Sequence, residues 1–248
     1  MVPVIRTEAT RTVIPMIEDK THIPQPAHLI LMTWLSPAFP VGGFAFSHGL
    51  EAAQEAGLVT TCKALEDWLH SVLHEGSGRN DAILLAASWR AAKARSTPEL
   101  QNVIELGAAL QPSSERYLEA TVQGRSFMSA IALSWPHEDL AVLPEDYAAH
   151  ITYSVAVGVA AAAHGVPLDL TLNAYLHAFL ANLISAAVRL GIVGQTDGQR
   201  VIAKLLQSIA HIAQRAEKAI LDDLGSSCAR ADMMSLHHET QYSRLFRS

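Results

Sequence analysis

The stretch Ser36-Pro-Ala-Phe-Pro-Val-Gly-Gly-Phe-Ala-Phe-Ser-His-Gly-Leu-Glu51 constrains this chain more than any other segment. Pro37 and Pro40 fix φ and push the residue before each into extended conformations, so no helix runs through it. Gly42 and Gly43 open backbone angles closed to other residues. Yet the same segment carries Phe39, Val41, Phe44 and Phe46, which a freely solvated loop does not hold. It reads either as an aromatic-anchored connection in a helical core or as an aromatic cluster built to meet a partner. Ser47 or its neighbours can cap a helix over His48–Ala56, which Gly57 closes. The glycines do not build a phosphate cradle. Neither G-x-x-x-x-G-K-[ST] nor G-x-G-x-x-G occurs in the chain, and the segment has no lysine or arginine.

The rest of the chain is helical in pattern. Alanine and leucine dominate its 248 residues, aromatics make up 6%, and β-branched runs are few. This composition predicts an all-α protein, a single helical-bundle domain of about eight to ten helices with mobile N- and C-terminal tails. The expected division is a disordered tail over residues 1–26, the domain over 27–225 and a C-terminal partner-docking tail over 226–248. The net charge of −6 is dispersed, which argues against nucleic acid as a partner. Cys62 and Cys228 form no C-x-x-C and suit a reduced, cytoplasmic protein. Residues 1–26 mix acidic and basic side chains without an apolar signal core. The longest low-charge run, Ile151–Ala163, is too short to span a bilayer, so no membrane association is expected.

Periodicity and breakers place the helices. Leu29–Leu35 is a short apolar helix before Pro37. Thr60 or Thr61 opens a helix with Leu65, Trp68, Leu69, Val72 and Leu73 on one stripe, broken by Gly76 and Gly78. Helices are predicted over Asp81–Ala94, from Thr97-Pro98 to about Leu110, and from Pro112-Ser113-Ser114 to Trp135. In the last of these, Tyr117, Ala120, Gly124, Phe127, Met128 and Ile131 share a side. An Ala-rich helix is expected from Leu143–Asp146 to Gly165, with Val155, Gly158, Val159 and Ala162 as a small-residue face. Pro167 opens a helix ended by Gly191, and Asp197 caps the last long one, which runs to Gly225.

Chemistry-bearing motifs are scarce. No H-E-x-x-H, G-x-S-x-G or catalytic Cys/His spacing is present, so no active site, metal centre or cofactor is assigned. His70 and His74 are four residues apart on one helix face, opposite the apolar stripe, with no third ligand apparent from spacing. His237-His238-Glu239 lies in the tail, where adjacent residues do not easily reach one ion. Two other stretches stand out. Gly191–Gln199 joins two long helices with Gln195 at its middle. The terminal Gln241-Tyr-Ser-Arg-Leu-Phe-Arg-Ser248 sets Tyr242, Leu245 and Phe246 between Arg244 and Arg247. Such a tail should dock on its own domain or on a partner, ordering when it does.

At these residues the chain resembles the UreF family of urease accessory proteins. Ser36–Glu51 is similar to that family's S-P-x-x-P-x-G-[AGS]-[FY]-x-x-S-x-G-L-E segment. Leu190-Gly-x-x-Gly-Gln-Thr-Asp-Gly-Gln199 resembles its glycine-glutamine junction, and Ser235–Ser248 its terminal M-x-H-E-T-Q-x-x-R-L-F-x-S signature. The likeness runs from about Leu29 to Ser248. Phe44 stands where many members have Tyr, and His237 where they often carry a basic or amide residue.

The resemblance implies an all-α fold, a homodimer and no catalysis. It implies assembly with UreD/UreH and the GTPase UreG in a complex that loads nickel into apo-urease, GTP and the nickel-carrying site belonging to UreG. Phe44, Phe46, Gln195, His238, Glu239, Tyr242, Arg244, Leu245 and Phe246 are then the expected partner-binding residues. The tail is expected to order against UreD/UreH, with Arg244 pinning backbone near Phe44 and Gln195 close by. Two other roles remain open: an activator or gate of the partner's GTP hydrolysis, with Arg79 the loop arginine that fits a finger, and a direct nickel carrier using His70/His74 or His237/His238.

Overall fold

The computed structural model describes residues 26–248. The expectation for residues 1–26 therefore lies, apart from Pro26, outside the described residues. Among those described there are ten α-helices and no strand. They are α1 (Ala27–Trp34), α2 (Leu50–Glu55), α3 (Cys62–Glu75), α4 (Ser77–Lys93), α5 (Thr97–Ala109), α6 (Ser114–Ser134), α7 (Tyr153–Ala163), α8 (Leu168–Arg189), α9 (Gln195–Lys218) and α10 (Ala229–His238). The all-α architecture follows the sequence pattern closely. Thr61 accepts a hydrogen bond from the Ala64 amide at the start of α3, and Ser113 does the same for Arg116 at the start of α6, satisfying otherwise free helix donors.

Four boundaries differ from expectation. The α4 helix begins at Ser77, so Gly78 lies inside its first turn instead of breaking the chain. The Ala-rich helix starts at Tyr153; residues Tyr147–Ala149 form a separate 3-10 turn, because Pro144 starts a turn that does not propagate. Gly194 is the cap residue of α9, and Asp197 sits in its first turn. That helix stops at Lys218, and Leu221–Asp223 makes another 3-10 turn before Gly225.

Helix α7 is the centre of the bundle. Its residues from Ser154 to Ala163 are buried, and it packs on α4 most extensively, then on α6 and α8. Small side chains let the α4 and α7 backbones approach closely. A Cβ on Gly158 would stand 2.5 Å from the Leu85 carbonyl oxygen and 2.2 Å from Ser88 Oγ. Around this pair, α9 lies across α8 and α3, and α5 closes on α4. Helix α8 is long and apolar enough to cross a membrane by length and composition, with half of its most apolar window buried. It packs on α9, α4 and α7 as a core helix does.

The last segment departs most from expectation. Residues 226–248, read as a tail, carry α10 and pack on α2 and α6 of their own domain. His238, Phe246 and Ser248 are buried. The segment thus lies against its own domain in this structure.

Gly158→Ala is expected to lower stability by about 2–3 kcal/mol, since the added methyl meets backbone that cannot yield. Gly225→Ala, where nothing lies within 4 Å, should be near neutral. Urea midpoints with unchanged m-values would measure both.

Candidate partner-docking surface

Glu51, on the first turn of α2, organises the site. The chain enters this helix through Ser47 and the left-handed Gly49 (φ 76°), where an added Cβ would lie 3.0 Å from the Ser235 amide nitrogen of α10. Ser47 Oγ accepts the Glu51 amide at 3.3 Å, as the sequence suggests a cap should. Glu51 is nevertheless buried, and its carboxylate faces the tail. The Leu245 amide donates to Oε1 at 2.6 Å, and the Phe246 amide donates to Oε2 at 2.9 Å. His238 Nε2 lies 3.0 Å from the same Oε2.

Two further carboxylates come from α6. His238 Nδ1 is 2.6 Å from Glu115 Oε2, and Arg244 Nη1 donates to Glu115 Oε1 at 2.6 Å. A carboxylate thus faces each ring nitrogen of His238. Glu119 pairs with Arg116, accepts from the Ser248 hydroxyl at 2.7 Å, and lies 3.5 Å from His48 Nδ1. The Ser47 amide donates to the Ser248 carbonyl at 2.8 Å, and Ser47 Oγ bonds the same oxygen. His48 Nε2 contacts Ser77 Oγ at 2.6 Å.

Burial and charge compete here. Burial pushes the Glu119 carboxyl up, but Arg116, His48 and the Ser248 hydroxyl outweigh it and hold the group well below the carboxylate range. Burial, then the positive Arg116, pushes His48 down. Deeper still, burial raises Asp81 even though Tyr175 and Ser154 donate to it at 3.0 and 3.1 Å.

The expected partner-binding residues divide into those that hold the tail down and those that face outward. His238 and Phe246 are buried anchors. Glu239 Oε1 accepts from the Ser114 amide and hydroxyl at 2.8 and 2.7 Å, placing a carboxylate on the first turn of α6. Phe46 is buried beneath the loop, while Phe44 is 70% exposed, Leu245 65% exposed, and Tyr242 fully exposed. Met233 and Leu236, on α10, are also exposed.

Arg244 does not reach the Phe44 loop; it is held by Glu115. The Phe44 carbonyl is taken instead by Arg189, at the end of α8, whose Nη1 donates to it at 2.6 Å. Gln195 is exposed at the start of α9 and has no side-chain hydrogen bond to the tail among the described residues. Sequence reasoning missed Glu115, Arg116, Glu119 and Arg189. A signal was present for the first three: Glu115, Arg116, Glu119 and Gln123 continue the Phe127/Met128 stripe backwards at helical spacing. A buried face that turns from apolar to charge-balanced marks a polar core or a docking site.

The arrangement is a network of buried charges and hydrogen bonds that joins α2, α6 and the tail. Its chemistry is the fixing of backbone by buried charge, with apolar side chains displayed outside. Glu119→Gln is expected to destabilise the fold by about 3 kcal/mol at neutral pH by stranding Arg116. The carboxylate's contribution is complete above about pH 4.5 and lost as pH falls toward its depressed native value. Wild type should therefore lose stability below pH 4.5 more steeply than the variant, as read from urea midpoints across that range.

The UreF family profile matches residues 59–206. The urease accessory protein UreF of Rhodopseudomonas palustris strain BisB5 is 51% identical, over 88% of this chain and 90% of its own length. That of Bradyrhizobium diazoefficiens is 52% identical over the same shares, and that of Azorhizobium caulinodans 47%, over 90% and 96%. On the strength of these matches and the all-helical fold, the chain belongs to the UreF family of urease accessory proteins.

Proposed function

We propose that this chain is a non-catalytic scaffold of urease maturation, working in the cytoplasm. In this reading it bridges UreD/UreH and the GTPase UreG so that nickel is incorporated into apo-urease. One observation carries the proposal: Phe44, Tyr242, Leu245, Leu236 and Met233 are displayed outward, on a tail that Glu51 holds by its backbone and Glu115 and Glu119 by its side chains, and on a loop whose Phe44 carbonyl Arg189 holds. Large apolar side chains on a pre-ordered backbone are what a protein partner uses as anchors, since little ordering entropy remains to be lost on binding. We assign UreD/UreH to this surface. We assign the second copy of the homodimer to the groove of about 820 Å³ bounded by α1, α6, α8 and α9, whose lining includes the exposed Met32, Leu170 and Leu206.

The alternative roles have less support. Arg79 lies within α4, not in a loop, and donates to the Asp223 and Gly225 carbonyls, so it is committed to a turn and not offered as a finger. His70 and His74 stack with ring centroids 4.1 Å apart, and His211 of α9 approaches His74 at 6.2 Å. Among the described residues, no group of three histidine, cysteine or acidic side chains is arranged to hold a metal ion. The His237/His238 pair is split, with His237 outside and His238 held between two carboxylates.

Light scattering after size exclusion, with UreD/UreH and UreG added, tests the reading. The full-length chain should form the complex. Removal of residues 239–248, or the milder Tyr242→Ala/Leu245→Ala pair, which touches only exposed side chains, should abolish or strongly weaken it. An equally stable complex from all three proteins would overturn the assignment.

A further inference from the structure

Arg189 lies between the loop and the tail. Its Cζ stands 3.8 Å from the centroid of the Phe44 ring and 4.3 Å from that of Phe246, so one planar cation serves two aromatic faces. Its Nη1 donates to the Phe44 carbonyl at 2.6 Å, and its Nε donates to Ser185 at 3.3 Å within α8. The guanidinium thus touches the exposed ring of the loop, that ring's own backbone, and the buried ring of the tail. Nearby, the Arg247 amide donates to the Ala45 carbonyl at 2.8 Å, so loop and tail run against each other. Nη2 is buried without a hydrogen-bond partner among the described residues, a sign that the group is held for its flat faces and for the single carbonyl.

We infer that Arg189 is the positioning residue that couples the Phe44 loop to the C-terminal tail, making two separate segments one docking surface. The inference rests on the reading that a partner protein binds this surface, but the coupling itself exists in the free chain. Linkage follows. A partner that fixes Phe44 stabilises the docked tail, and a docked tail holds Phe44 in its binding pose. The role belongs to arginine specifically: lysine keeps the charge and the stem but cannot lie flat between two rings while donating in the ring plane.

The test uses the full chain, with tryptic cleavage after Arg244 as the measure of tail release. Phe44 is exposed, so Phe44→Ala leaves the core intact. It should nevertheless speed cleavage after Arg244, and in an Arg189→Met background it should add no further effect. Equal cleavage of wild type and Phe44→Ala would overturn the coupling whether or not any partner binds. In the second arm, Arg189→Lys is titrated with purified UreD/UreH. Affinity should fall about tenfold, because the loop and tail are no longer held together by the two cation–π contacts and the charge-assisted hydrogen bond, while the helical circular-dichroism signal stays that of the wild type. Full rescue by lysine would reduce Arg189 to a simple charge and overturn the positioning role. Failure of wild type to bind UreD/UreH at all would sink the partner assignment instead, leaving the cleavage result to decide the coupling.

Discussion

The Glu51 carboxylate receiving the amides of Leu245 and Phe246 is the contact on which the C-terminal half of this surface depends. A buried carboxylate without donors is costly, and so is a chain end fixed without compensation. Each solves the other's problem here. The tail gives Glu51 two backbone donors and one imidazole, and Glu51 gives the tail a defined register. Because the two amides are adjacent, the bond fixes backbone direction as well as position, which sends Phe246 inward and Leu245 outward.

The same economy extends to α6. Glu115 and Glu119 would be unsupportable inside a helical core on their own, but His238, Arg244, Arg116 and the Ser248 hydroxyl reach them from several elements. A buried charge cluster of this kind contributes little net stability compared with an apolar core of equal volume. Its value is geometric: hydrogen-bond directions admit one arrangement of loop, helix and tail, where interdigitated leucines would tolerate several.

Most of the fold was legible in the sequence. Stripes such as Leu65/Leu69/Val72 and start signals such as Thr97-Pro98 act locally, so local reading finds them. The boundaries that slipped, at Pro144 and Gly78, are places where tertiary packing decides whether a turn propagates. The candidate site was legible only as separate pieces. The Phe44 loop and the tail motif stood out because their composition defies their position, but two of the carboxylates that hold the tail, Glu115 and Glu119, lie far from both in sequence. Arg189 carried no local signal at all, since an arginine in the last turn of a helix is what the helix dipole favours anyway. Its place between two rings appears only when α8, the loop and the tail are seen together.

Amide hydrogen exchange of the isolated chain, resolved at Leu245 and Phe246, tests the central claim most directly. If buried carboxylates hold the tail on its own domain, both amides are strongly protected without a partner, and Glu51→Gln releases them while amides in α7 stay protected. Exchange of Leu245 and Phe246 at the rate of an unstructured peptide in the wild-type chain would contradict the account, because the docked surface would then not exist before a partner arrives.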